Sequence, residues 1–142
     1  MATLRRPIRL DSLDGKQSLQ LDALVDTGSF VTIVPASLLK ELGVVPTEKV
    51  GLELAGGRRV AWDIGEARAT VDGHSTATLV VFGEEDADPV LGRYTLTGLR
   101  LDLDPVRKIL VPVPLFRRSA PRLIVGADRR ARESMRAYIR VW

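Results

Sequence analysis

The sequence predicts an all-β domain, a barrel or sandwich of short strands. Three observations carry this: short runs in which apolar and polar side chains alternate, Asp-Gly and Gly-Gly pairs that punctuate them closely, and few segments with a helical repeat. In order, "RPIRLDS" and "QSLQLDALV" flank "LDGK", where Asp14-Gly15 signals a hairpin. "FVTIV" is a short β-branched strand. "PASLLKELG" reads as one short helix, with Pro35 at its first position, Leu38, Leu39 and Leu42 on one face, and Gly43 as the left-handed stop. "KVGLELAGGRRVAWDIG" is split by Gly56-Gly57 into the arms of a long hairpin, and "EARATVDG" leads to a second Asp-Gly turn at Asp72-Gly73, followed by the apolar strand "HSTATLVVFG". "EEDADP" is an acidic surface loop.

"VLGRYTLTGL" starts apolar, turns at Gly92 and continues as one or two helical turns. "LRLDLDPVRKILVPVPL" alternates around an Asp104-Pro105 turn, and Pro112 and Pro114, which cannot donate to a ladder, make its second arm an edge or terminal strand. "GADRRARESMRAYI" predicts a C-terminal helix. The expected organisation is one domain over residues 1–115 and a basic extension over 116–142.

At 142 residues, 45% hydrophobic and 27% charged, the chain can build a core without staples. Having no cysteine, it has neither disulfides nor thiolate metal sites, and its single histidine, His74, sits in a predicted turn, so no metal or cofactor is expected. The net charge of +3 is uneven: residues 116–142 carry eight arginines against Asp128 and Glu133, a local +6 that leaves the first 115 residues at −3. Few aromatic residues and no binding motif beyond charge argue against nucleic acid as a ligand, and only the basic tail leaves it open. The opening "MATLRRPIRLDSLDG" has no apolar stretch after its arginines, and no run is long enough to span a bilayer, so the expectation is a cytoplasmic protein that is not in a membrane.

One stretch resists a purely structural reading. In "LDALVDTGSFVTIVP" the carboxylate of Asp26 lies among Leu24, Val25, Phe30, Val31 and Ile33, where burial without a partner is expensive. Asp26-Thr27-Gly28 after an apolar strand, the Gly56-Gly57 hairpin, and "PVLGRYTLTGLRLDLD" at residues 89–104 follow in the order seen in retropepsins, the retroviral-type aspartic proteases, and the resemblance spans roughly residues 5–115. It implies a closed β-barrel with one or two short helices and a glycine flap hairpin. It also implies a homodimeric aspartic endopeptidase with an extended peptide or protein as substrate.

No other aspartate is followed by Thr-Gly or Ser-Gly, so the partner of Asp26 is expected to be Asp26 of a second chain. By the same resemblance Asp26, Thr27 and Gly28 form the catalytic loop, with Thr27 bonding across the two-fold axis and Gly28 admitting the substrate backbone. Ser29 would bond the outer carboxylate oxygen. Phe30, Ile33, Ala55, Gly56, Gly57, Val90 and Leu91 would join Ser29 around the substrate, Val90 and Leu91 also packing behind the loop with Gly92. The departures are Phe30, where the family commonly has an acid that pairs with the arginine here numbered Arg93, an arginine-rich flap, and the added tail. A module of the same fold that grips peptides without cleaving them is the alternative.

Overall fold

A computed structural model describes residues 4–113, and they form nine strands and two short helices. The strands are β1 (Leu4–Asp11), β2 (Ser18–Val25), β3 (Thr32–Pro35), β4 (Glu48–Glu53), β5 (Arg59–Val71), β6 (His74–Gly83), β7 (Val90–Leu91), β8 (Leu101–Asp104) and β9 (Ile109–Pro112); the helices are α1 (Ala36–Leu42) and α2 (Arg93–Leu99). The compact unit that carries them ends at Pro112. The helix expected near 126–139 and the basic extension lie outside the described residues.

The sheet runs β1-β2-β7-β3-β6-β5-β4 and closes on itself through a further β1–β5 pairing. Closure depends on the length of β5. One of its edges pairs first with β4, over Arg59 to Ile64, and then with β1, over Arg68 to Thr70; the other pairs with β6. Alternation decides which face is inside: Ile8 and Leu10 of β1 are buried between exposed Arg5, Pro7 and Arg9, and Ala67, Ala69 and Val71 of β5 are buried between exposed or half-buried neighbours. Strand β6 is buried at every residue from Val80 to Gly83, the stretch that pairs with β3, and β5 pairs along its other edge as far as Val81. Both Asp-Gly turns form. At the second, Asp72 (φ 50°) and Gly73 (φ 83°) occupy the left-handed pair that a two-residue hairpin requires, and Arg6 Nη2 braces the Asp72 carboxylate at 2.5 Å. Strands β8 and β9 make a separate two-stranded sheet, with Pro112 on its terminal strand as expected.

Helix α1 begins one residue later than the sequence suggests. Pro35 is still the last residue of β3, opposite Gly83, and acts as the N-cap, while Gly43 closes the helix at φ 85°. Proline offers no side-chain cap, so the first turn borrows one: the Ser37 N–H donates to Glu85 Oε2 at 2.9 Å. The Ser37 hydroxyl and N–H hold the Glu85 carboxyl below its ordinary range. A carboxyl so lowered stabilises the fold above its unfolded value, and that stabilisation is lost as pH falls through the folded value. Glu85→Gln is therefore expected to flatten the acid limb of stability, read as a smaller drop in urea midpoint between neutral pH and about pH 3 than wild type shows. An equal drop would show that the cap contributes nothing.

Among the described residues no helix is long and apolar enough to cross a membrane.

Candidate active site

The loop that carries Asp26 joins β2 to β3, and β7 lies between those two strands, parallel to β2 and antiparallel to β3. This insertion is what positions Asp26. Its N–H donates to Leu91 O at 3.1 Å, while Leu24 N–H donates to Pro89 O at 2.8 Å, so β2 is held to β7 up to the residue that bears the carboxylate. The chain then turns back sharply. Ser29 N–H donates to Asp26 O at 3.1 Å, and Gly28 N–H donates to Asp26 Oδ1 at 2.9 Å. A Cβ on Gly28 would lie 3.2 Å from that same oxygen, close enough to push on the carboxylate.

Asp26 is exposed on the chain by itself, where the apolar context suggested burial. The reason is directional: β2 buries Ala23 and Val25 and ends there, so the next side chain leaves the core face. Among the described residues no salt bridge reaches Asp26, and no group of three or more acidic or histidine side chains is placed to hold a metal ion.

Helix α2 locks the loop from the other side. Its first N–H groups find their acceptors in the loop, Arg93 N–H on Ser29 O at 2.8 Å and Tyr94 N–H on Phe30 O at 2.9 Å. Gly92 makes this approach possible, since a Cβ there would lie 2.2 Å from Val31 O. The Arg93 guanidinium forks onto Thr27 O, at 3.2 Å from Nε and 2.9 Å from Nη2. That carbonyl is the partner the sequence left open when Phe30 replaced the acid. Phe30 instead meets Tyr94 edge to face, with ring centroids 5.7 Å apart, and both rings are exposed.

Two expected roles change. The Ser29 hydroxyl donates to Val31 O at 2.8 Å and not to the Asp26 carboxylate. Leu91 is fully buried, so it supports the loop from the core and does not face a ligand; Val90 and Ile33 are only partly buried. The flap hairpin is present, with Ala55, Gly56 and Gly57 exposed at its tip, both glycines left-handed at φ 89° and 85°, and Gly57 N–H donating to Leu54 O at 2.9 Å. Both of its arginines are paired: Arg58 Nη2 meets Glu84 Oε1 at 2.8 Å, just beyond β6, and Arg59 Nε meets Glu53 Oε1 at 3.3 Å. Sequence reasoning missed a buried trio of hydroxyls behind the loop, Thr32, Thr78 and Thr95. The signal was there: Thr95 shares the apolar face of α2 with Leu96 and Leu99.

A family model for aspartyl proteases matches residues 12–95, more than half of the chain, and the chain belongs to that family. Its barrel is the fold of the retroviral proteases, and the protein is a retropepsin-like aspartic endopeptidase. Among solved structures it is similar to the protease of simian foamy virus (mac) in solution, at 19% identity over 64% of this chain and 91% of that one, with a TM-score of 0.44. It is also similar to a foamy viral protease-reverse transcriptase in complex with an RNA/DNA hybrid, at 16% identity over 81% of this chain, with a TM-score of 0.50. It spans only 13% of that second chain. No curated protein matches the sequence.

Proposed function

We propose that two copies of the chain assemble about a two-fold axis, so that Asp26 of each faces the other and one peptide bond is cut between them. The observation that carries this is the exposed Asp26, reached by no salt bridge among the described residues, on a chain with a single Asp-Thr-Gly. Aspartic proteolysis needs two carboxylates that share one proton, and one chain supplies one. In the step itself the ionised carboxylate takes a proton from water as the water oxygen attacks the scissile carbonyl carbon. The protonated carboxyl hydrogen-bonds the developing oxyanion. Proton transfer to the amide nitrogen then lets the carbon–nitrogen bond break.

The other residues take supporting roles in this reading. Thr27 bonds across the axis, and its carbonyl is steadied by Arg93. Gly28 and Ser29 keep the loop tight beneath the substrate. Phe30, Ile33 and Val90 border the cleft, and Ala55, Gly56 and Gly57 close over an extended peptide that binds as an added strand. The substrate is a peptide; the RNA/DNA hybrid belongs to a much longer chain.

Concentration tests the assembly. Activity per chain, measured against an unbiased peptide library, is expected to rise with protein concentration and level off as sedimentation shows dimers saturating. Activity that is already flat where sedimentation shows monomers would rule out a site shared between chains.

A further inference from the structure

We propose that Thr95 is a positioning residue for the catalytic loop, acting through Thr32 and Gly92; this rests on the reading of Asp26 as catalytic. Four polar side chains are buried among the described residues, and one of them, Ser12, is accounted for by its own turn, where it bonds Asp14 and Gln17. The other three meet at one point. Thr32 of β3, Thr78 of β6 and Thr95 of α2 are 1%, 4% and 0% exposed. Thr95 Oγ1 lies 2.6 Å from Thr32 Oγ1 and 2.8 Å from Thr78 Oγ1. A hydroxyl brings one proton and two lone pairs, so Thr95 can hydrogen-bond both neighbours at once.

An apolar core needs none of this, since valine has the shape of threonine without the cost of desolvating a hydroxyl. What hydroxyls add is direction. Thr32 Oγ1 accepts the Gly92 N–H at 3.1 Å, which fixes the residue that touches the loop most closely. On either side of Gly92, Leu91 O holds the Asp26 N–H, and the Arg93 and Tyr94 N–H groups hold Ser29 O and Phe30 O. The chain of contacts thus runs from Thr78 through Thr95, Thr32 and Gly92 to the loop that aims Asp26. No member of the trio reaches the cleft. Thr95 acts by keeping β7 and the start of α2 in register with β3 and β6, and a small misplacement of a reacting group is costly.

The test combines native-state amide exchange by NMR with steady-state kinetics on the full chain. In Thr95→Val the amides of Asp26, Gly92, Arg93 and Tyr94 are expected to exchange at least tenfold faster, with the β1–β2 ladder as in wild type. The value of kcat falls about tenfold while KM stays within about twofold. Thr95→Ser keeps the hydroxyl and restores both readouts. Uniform acceleration across the β1–β2 ladder, no acceleration at all, or Thr95→Ser as impaired as Thr95→Val would each overturn the proposal. Should Thr95→Val not fold, Thr78→Val decides it, because it removes one partner of Thr95 and is expected to speed the same four amides selectively. If wild type shows no Asp26-dependent hydrolysis, the catalytic reading fails, and the exchange pattern alone still decides whether Thr95 holds the loop.

Discussion

Asp26→Asn is expected to lower peptide hydrolysis by roughly 10³-fold or more while leaving dimer and fold intact, because asparagine keeps the shape of the side chain but can neither take nor share the proton. The Gly28 N–H that donates to Oδ1 at 2.9 Å can donate equally to an amide oxygen, so the loop has no reason to open. Subunit mixing sharpens the result. When wild-type and Asp26→Asn chains are unfolded together in equal amounts and refolded, random pairing gives about a quarter wild-type dimers and about half mixed ones. A dyad shared between chains makes every mixed dimer inert, so about one quarter of the wild-type activity remains. Independent sites would leave about half, and that outcome would sink the shared dyad while leaving the fold untouched.

The second large effect is expected at a glycine that touches no substrate. Gly92→Ala places a methyl group 2.2 Å from Val31 O, 2.4 Å from Val31 C and 3.0 Å from Ser29 O. All three are backbone atoms of the catalytic loop, so no side chain can rotate to make room. Either α2 or the loop must move, at a cost of about 3 kcal/mol or more, and a shift of about 1 Å at Asp26 costs about 10²-fold in rate. The control is Gly98→Ala, one helical turn and a half further on. Its methyl group would meet Thr76 Oγ1, Cγ2 and Cβ at 2.7, 3.1 and 3.3 Å, all atoms of one half-buried side chain of β6 and none of them in the catalytic loop. Thermal unfolding and kinetics of the two variants together are expected to show a severe loss for the first and a mild change for the second. Comparable losses would mean that Gly92 is ordinary helix packing and does not govern the loop.

Much of this was legible from the chain alone, because the rules involved are local. Alternation names the buried face of a strand without knowing its neighbour, so Ile8 and Leu10, or Ala67 and Ala69, declare themselves. Turn chemistry is also local: Asp72-Gly73 and Gly56-Gly57 adopt left-handed backbones that few other residues tolerate. A single Asp-Thr-Gly in the right order with a glycine hairpin and Val90-Leu91-Gly92-Arg93 was enough to indicate the class of chemistry.

What the chain could not disclose depends on atoms brought together from distant positions. Asp26 looked destined for burial because its sequence neighbours are apolar, but the end of β2 turns its side chain out of the core. Arg93 had lost its expected acid at Phe30, and only the fold shows that it forks onto Thr27 O, 66 residues away in sequence. Leu91 looked as suitable for a substrate pocket as Val90; their burial separates them, since alternate residues of the inserted strand face opposite ways. Of the three threonines only Thr95 stands out locally, on the apolar face of α2, and its partners emerge only when β3, β6 and α2 have packed. Local preference thus determined the elements and the class of reaction, and tertiary packing decided which side chains hold the reactive loop and in which direction its carboxylate points.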